Sequence, residues 1–441
     1  MRLERLNPQD VERLGGPEGA AAHLRALVAD GASVEDAVRE IVGAVRARGD
    51  AAVHEYTRRY DTQGNDRSEI GQRPLVVAPE ELDAAIKELP LELVAGLQVA
   101  IANVAEVAQA GVEEDRTVRL PQGQHVTLRE IPVQAAAVYV PGGRAPYPST
   151  VVMGVVSARA AGVLDVAVCS PPGADGQIDQ TILGACRLCG VERVYRIGGA
   201  QAIAALAYGT ETVSRVDVVV GPGNLYVQEA KRQLSAIVGI DGFAGPSDLL
   251  VALGAATGER ELELAALDML AQGEHGEGSL VVAVSPSAAV CDALAQALEQ
   301  WVLERPTVGE ARFAIVEVED ARAAVAFANA FAAEHLELIG ADVEALAPVV
   351  RSAGCLFVGA ASATAFGDYV VGSNHVLPTG GAARFASGLS ARHFRRRMQE
   401  VRISEDAVSK LAAAGAPVAR AEGFEVHAES MEARMRENDE R

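Results

Sequence analysis

Aromatic residues make up only 4% of this 441-residue chain, with a single tryptophan, so any core must be built from alanine, valine and leucine rather than large rings. Cysteine is also sparse. Five residues, an odd number scattered over a long chain, exclude a disulfide framework and fit a reducing compartment. The lone Cys186-x-x-Cys189 has no second pair and reads as two half-buried thiols rather than a zinc or redox centre. Positive charge is short too: 39 Lys and Arg stand against 60 Asp and Glu, a net charge of -21. That balance excludes a nucleic-acid backbone as partner, since such binding depends on lysines and arginines displacing counterions. The most apolar windows, such as residues 151–163, are broken by Arg159 and read as too short for the roughly 20 residues of a membrane span. The N-terminus, MRLERLNPQDVERLGG, carries charges at every turn and lacks the apolar core of a signal peptide. These absences predict a soluble, cytoplasmic protein. No G-x-G-x-x-G occurs, so a dinucleotide site would have to be built without the usual fingerprint.

What is present is apolar and small: 49% hydrophobic residues and 43 glycines, in a chain too long for one core. From residue 133 a short β-branched run, a Gly or Pro turn and an Ala-rich helix alternate. Residues 135–140, 165–170, 193–198 and 216–221 read as strands, with helices near 150–161, 179–189, 200–208 and 224–237. A second series follows, with strand-like DLLVAL, SLVVAV, FAIVEV, HLELIG and CLFVG separated by helices near 260–271, 288–303 and 320–333. Continuous apolar runs alternating with helices predict parallel sheets covered on both faces, an α/β fold of two Rossmann-like layers. Residues 34–60 read as helical, 65–74 as a polar connector, and the charged tail from about 387 as helical and too thin to own a core.

Ligands of open parallel sheets sit beyond the carboxyl ends of the strands. Three Gly-rich turns fall there, after Tyr139, after Arg196 and after Val220, each offering backbone N–H groups and close approach to a phosphate or ribose. An ordinary tight turn explains any one of them; three on successive strands of one sheet point to a nucleotide-type ligand. Glu334 and His335 stand together where a helical pattern gives way to a strand. The ordinary reading is an imidazole at a helix C-terminus, and the alternative is a carboxylate–imidazole base with a pKa near neutrality. Gln272 and His275 are three apart, Asp368 and His375 share a long loop, and Glu422 and His427 lie in the tail. His, carboxylate and amide donors suit zinc, whereas a hydrogen-bonded helix end, an Asx turn and a solvated tail histidine are the plain alternatives.

The words YVPGGRAPYPSTVVMGVV, IGGAQAIAALAYGTE, VDVVVGPGNLYVQEAKRQ, GIDGFAGPSDLLV, QGEHGEGSLVV, AAEHLEL, GDYVVGSNHVLPTGGAARFASGLS and AEGFEVHAES, in this order, resemble the histidinol dehydrogenase family over nearly the whole chain. The resemblance implies a zinc-containing, NAD-dependent homodimer that oxidises L-histidinol through the aldehyde to L-histidine. It implies Glu334 and His335 as the catalytic pair, and Gln272, His275, Asp368 and His427 as zinc ligands that also meet the substrate. Tyr139, Gln201 and Asn224 correspond to NAD contacts; Ser247, His335, His375 and Glu422 correspond to residues around the substrate. The implied domains are a helical extension at 1–30, a first Rossmann-like domain at 31–116 with 248–386, a second, NAD-binding one at 117–247, and a tail at 387–441 exchanged between subunits so that His427 completes the partner's site. Departures from the family's words, Asp248 where Glu is common, Gly273, Gly276, Phe424 and Val426, leave the ligand-type residues intact. They leave a second reading for the substrate, another small alcohol such as a sulfonated diol.

Overall fold

The computed structural model describes residues 2–28, 33–61, 73–142, 145–242, 245, 247–276, 278–308 and 311–435. Most of the 65–74 connector lies outside the described residues. Two compact units emerge, one of residues 1–111 with 134–394 and one of residues 112–133 with 395–441.

The strands, in chain order, are β1 (Arg2–Leu6), β2 (Arg116–Arg119), β3 (His125–Pro132), β4 (Ala135–Tyr139), β5 (Asp165–Ser170), β6 (Arg193–Arg196) and β7 (Val218–Val220). They continue with β8 (Gly239–Ile240), β9 (Asp248–Leu253), β10 (Leu280–Ser285), β11 (Arg312–Glu317), β12 (His335–Ile339), β13 (Cys355–Val358) and β14 (Arg395–Arg402). The first unit holds two parallel sheets, one of order β1-β11-β10-β9-β12-β13 and one of order β6-β5-β4-β7-β8. Every residue of β9 and β10 is buried. Leu250, Ala252, Val282 and Val284 face one core, while Leu249, Val251, Val281 and Ala283 face the other. Helices therefore cover both faces, which is why these strands are continuously apolar in sequence. Each such valine or leucine side chain contributes about 1.5–3 kcal/mol on burial.

Three readings of the sequence need correction. Arg2–Leu6, placed in a helical extension, is an edge strand pairing in parallel with β11. Arg395–Arg402, read as helix, is a strand paired antiparallel with β3 in the second unit, whose sheet runs β14-β3-β2. Its alternate arginines are held by charge: Arg397 bonds Glu113 at 2.5 Å and also pairs with Glu130, which offsets the low intrinsic β-propensity of the run. The helix Leu91–Ala110 is long and apolar enough, by length and composition, to cross a membrane, contrary to the estimate from shorter windows. In the fold Leu97, Ala100, Val104 and Ala108 form its buried stripe, and Asn103 donates to the Val370 carbonyl at 2.7 Å.

In the second unit the helices Glu405–Ala421 and Glu425–Glu432 pack on one another, and Arg420 clasps Glu425 and Glu432 at 2.8 Å.

Candidate active site

Glu334 owes its position to how the preceding helix ends. The helix Ala321–Phe331 starts at an Asp320 cap that accepts from the Ala323 N–H at 2.8 Å. It stops at Ala332, the one non-glycine residue with positive φ among the described residues (φ 51). A left-handed alanine costs about 1–2 kcal/mol. Arg25 supports this bend: its guanidinium hydrogen-bonds the Phe331 carbonyl, stacks 4.2 Å from the Phe331 ring and donates to Asp248 at 3.0 Å. Asp248 in turn accepts from the Glu334 N–H at 2.7 Å, and the Asp248 N–H donates to Glu334 Oε2 at 3.1 Å. This reciprocal pair pins the first residue of β9 to the entry of β12. The bend thereby points both Glu334 and His335 at one cleft, which two adjacent residues of a straight strand cannot do.

The cleft has a volume of about 3090 Å³ and lies in the first unit. Ten of the residues singled out from the sequence line it: Tyr139, Gln201, Asn224, Ser247, Gln272, His275, Glu334, His335, Asp368 and His375. Glu422 and His427 belong to the second unit, where both are exposed and His427 rests 5.2 Å from the Phe424 ring.

Within the cleft, Ser247 Oγ donates to Glu334 Oε2 at 2.6 Å and accepts from Gln272 Nε2 at 2.6 Å. This turns the carbonyl end of Gln272 away from Ser247. His335 Nε2 lies 3.4 Å from Asp368 Oδ1; its Nδ1 is 3.9 Å from Glu334 Oε2, buried and, among the described residues, without a hydrogen-bond partner. His375 Nδ1 faces the Asp368 carbonyl at 2.8 Å, so that nitrogen carries the proton and Nε2 accepts from the Thr150 hydroxyl at 3.1 Å. Burial lowers the pKa of this ring and so favours its neutral form, and the ring braces the backbone that presents Asp368.

Burial is the largest influence on Glu334 and pushes its carboxyl up to about 7. Burial works against the charged ring of His335, but the Asp368 hydrogen bond and the Glu334 charge outweigh it and carry His335 up to about 9. Burial also opposes the ionised form of Asp368, yet contact with His335 holds it below the ordinary carboxylate range.

On the opposite wall Tyr139 ends β4, and its hydroxyl accepts from the Gly199 N–H at 3.2 Å. Gln201 lies in the first turn of the helix Gly199–Tyr208 and donates to Asp61 at 3.2 Å. Asn224 caps the helix Leu225–Leu234, accepting from Tyr226 and Val227. All three lie at or beyond the carboxyl ends of their strands, as the parallel-sheet rule demands. The other wall departs from that rule: Ser247, Glu334 and His335 sit at the amino ends of β9 and β12, and Gln272 and His275 precede β10.

Gln272, His275 and Asp368 offer an amide oxygen, an imidazole and a carboxylate within one cleft, a donor set suited to zinc. Among the described residues no group of three or more His, Cys, Asp or Glu is arranged to hold a metal.

Comparison with known proteins decides the family. The sequence model of histidinol dehydrogenase matches residues 25–435. The chain belongs to the histidinol dehydrogenase family. It is 39% identical over 435 residues to a histidinol dehydrogenase of Gluconobacter oxydans, covering 97% of this chain and 99% of that one. It is 42% identical over 416 residues to that of Pseudomonas aeruginosa, with 91% of each covered. A crystal structure of histidinol dehydrogenase from Elizabethkingia anophelis superposes with a TM-score of 0.86 at 27% identity, over 98% of both chains. Membership makes the chain an oxidoreductase.

Sequence reasoning gave no role to Arg25, Asp61, Thr150 or Glu337. Arg25 sits in what read as a peripheral helix, and Thr150 in a run with no other polar distinction. Only Asp61, the first residue after a helical stretch, carried a local signal, a carboxylate at a helix end.

Proposed function

We propose that this enzyme carries out the NAD-dependent, four-electron oxidation of L-histidinol to L-histidine through L-histidinaldehyde, with zinc holding the substrate. The observation that carries the reading is the buried Glu334–His335 pair on the wall of a cleft that also gathers Gln272, His275 and Asp368. NAD supplies the hydride acceptor, one molecule for each two-electron step. Zinc, when bound, supplies a positive centre that anchors nitrogen donors of the substrate; Gln272, His275 and Asp368 would hold it, with His427 of the tail.

The remaining work is proton handling and positioning by side chains. His335 takes the hydroxyl proton of the alcohol. Its pKa is raised by the Asp368 hydrogen bond and the Glu334 charge, so engagement of Asp368 by a cation would favour the neutral ring that acts as base. Glu334, brought near neutrality by burial, takes a proton from the water that adds to the aldehyde. No thiol is needed. Cys355 stands opposite His335 in the β12–β13 register, but burial raises its pKa, which disfavours the thiolate a covalent route requires.

The test is oxidation of L-histidinol with NAD, followed as two reduced nicotinamides per substrate, beside a panel of small diols that includes sulfonated ones. One reduced nicotinamide per substrate, or turnover of the diols alone, would overturn the reading. Glu334→Gln should slow aldehyde oxidation more than alcohol oxidation. Homodimerisation with an exchanged tail is part of the same proposal. Mixing Glu334→Gln subunits with His427→Asn subunits should then restore about a quarter of wild-type activity, since half the dimers are mixed and each has one intact site.

A further inference from the structure

The helix Pro148–Ala160 follows the Gly-rich turn after Tyr139, and every residue from Ser149 to Ala158 is buried. It lies tightly on β4: a Cβ on Gly154 would stand 2.5 Å from the Val138 side chain, so the helix is a fixed base for whatever bonds to it. Thr150 and Ser157, each 1% exposed, are seven positions apart, about two helical turns, and so share one face of a largely apolar run. Both meet the loop that follows the helix Thr364–Tyr369. Asn374 donates to the Met153 carbonyl at 3.1 Å and to Ser157 Oγ at 3.2 Å, while its own Oδ1 accepts from the Val376 N–H at 2.9 Å. One turn before Met153, the Thr150 hydroxyl donates to His375 Nε2 at 3.1 Å.

The same loop decides how Asp368 is held. Asp368 lies in the last turn of the helix Thr364–Tyr369, where backbone carbonyls have no partner within the helix. The front end of this short helix is fixed by Glu337 of β12, whose Oε1 accepts from the Thr364 N–H at 2.8 Å and from the Thr364 hydroxyl at 2.5 Å. The far end is held by His375, whose Nδ1–H donates to the Asp368 carbonyl at 2.8 Å. A neutral imidazole has one donor and one acceptor, so this bond holds only while Nε2 accepts, and Thr150 gives Nε2 a buried donor to accept from. With the proton on the other nitrogen, the Nδ1 lone pair would oppose a carbonyl oxygen.

We propose that Thr150 is a positioning residue: its hydroxyl fixes the tautomer of His375 and, through that ring, the backbone of Asp368, so that a helix beside the cofactor wall sets the aim of a metal donor on the facing wall. The inference rests on the zinc site assigned above, because the aim of Asp368 matters only if that carboxylate holds the ion. Thr150 acts through the hydroxyl alone. Its methyl group packs in the helix interior, whereas the hydrogen is what keeps Nε2 an acceptor. Removing the hydroxyl leaves Asn374 bonded to Met153 and Ser157, so the loop stays docked and only the hold on Asp368 is released. The loss therefore falls on the metal donor rather than on the fold.

The experiment uses the full-length protein and two readouts that need no substrate, thermal unfolding and zinc retained after dialysis against limiting zinc, beside kcat and the KM of histidinol and of NAD. Thr150→Val keeps the shape and removes the donor. It should weaken zinc retention about 10-fold, as loss of outer-shell partners typically does, and lower kcat/KM for histidinol, while KM for NAD stays within about twofold. Thr150→Ser keeps the donor and should retain zinc within about twofold of wild type. Should Thr150→Val fail to fold, Thr150→Ala against Thr150→Ser isolates the same hydroxyl, since both lack the methyl: the serine retains zinc and the alanine loses it. Wild-type zinc retention in the Val and Ala variants, with or without a lower melting temperature, would reduce Thr150 to a structural residue and overturn the inference. A Ser variant as defective as the Val variant would overturn it too, because packing of the methyl would then be the cause. A wild-type enzyme that retains no zinc would end both this inference and the reading of the site. Turnover of a different alcohol would overturn the substrate assignment alone and leave the contrast in zinc retention standing, so the two failures are separable.

Discussion

Ser247→Ala tests the role proposed for the Glu334 carboxylate more directly than removal of Glu334 does. The hydroxyl is one of two donors to Glu334 Oε2, at 2.6 Å, and the Asp248 N–H at 3.1 Å remains when it is gone. A hydrogen bond to a charged group is worth about 1.5–3 kcal/mol, and 1.36 kcal/mol corresponds to one pKa unit, so loss of the hydroxyl should raise Glu334 by about one to two units. The sign follows from the form being stabilised. Ser247 favours the carboxylate, so its removal favours the acid. Starting from about 7, where roughly half the enzyme holds the base, the variant at pH 7 would hold about 1–10% base. Oxidation of the aldehyde should fall about 5- to 50-fold at pH 7 and recover near pH 9, whereas oxidation of the alcohol, which uses His335, should change less. The assay is a pH profile of each half-reaction in wild type and variant, with zinc content measured in parallel because Gln272 also loses its partner. An unmoved midpoint, or a loss that is the same at every pH, would refute the assignment of Glu334 as the water-activating base.

Three further expectations concern the frame and the route. Gly221 has φ 111, and a Cβ there would stand 2.1 Å from the Tyr139 carbonyl oxygen. Gly221→Ala should destabilise the protein by at least about 1–3 kcal/mol in denaturant melts and abolish saturation by NAD. Lys231 is buried, pairs with Asp241 at 2.6 Å and donates to the Gly221 carbonyl at 2.5 Å. Lys231→Met strands a buried carboxylate and should cost about 3–5 kcal/mol, with KM for NAD rising more than kcat falls. Cys355→Ser should keep both half-reactions within about twofold of wild type, since the route proceeds without a thiol; trapping of a thioester on Cys355 would contradict it.

The parallel strands were legible because burial on both faces leaves an unbroken apolar run, and β5, β9, β10 and β12 were readable nearly to the residue. The strands at the margins were not. In β1 and β14 charged side chains outnumber apolar ones, and nothing local distinguishes such a run from a solvated helix; their partners, β11 and β3, lie hundreds of residues away. The site divides in the same way. Glu334, His335, Gln272 and Asp368 were found because their chemistry stands out from its surroundings or matches a family word. Arg25, Thr150 and Glu337 act through bonds to Asp248, His375 and Thr364 that the sequence does not mark. Those separations reach 223 and 225 positions for the first two, so only the folded chain shows the contact.

The unequal use of strand ends in the two sheets has a physical reading. Against the five-stranded sheet, the helices Gly199–Tyr208 and Leu225–Leu234 point their amino ends into the cleft through Gln201 and Asn224, and the positive ends of those dipoles suit the phosphates of a dinucleotide. Against the six-stranded sheet, the helices Ala321–Phe331 and Glu259–Gly273 deliver Glu334, Gln272 and His275 from their carboxyl ends, where the dipole favours positive charge. One cleft therefore has an anion-favouring wall and a cation-favouring wall. The proposed reaction would move hydride from a substrate bearing an ammonium and an imidazole to a pyrophosphate-bearing cofactor, and would need its two partners held face to face without exchanging places. Opposed helix polarity favours that arrangement. The amino-end location of Glu334 and His335 follows from it, because in a parallel sheet the helix ends that carry negative dipole lie beside the amino ends of the strands.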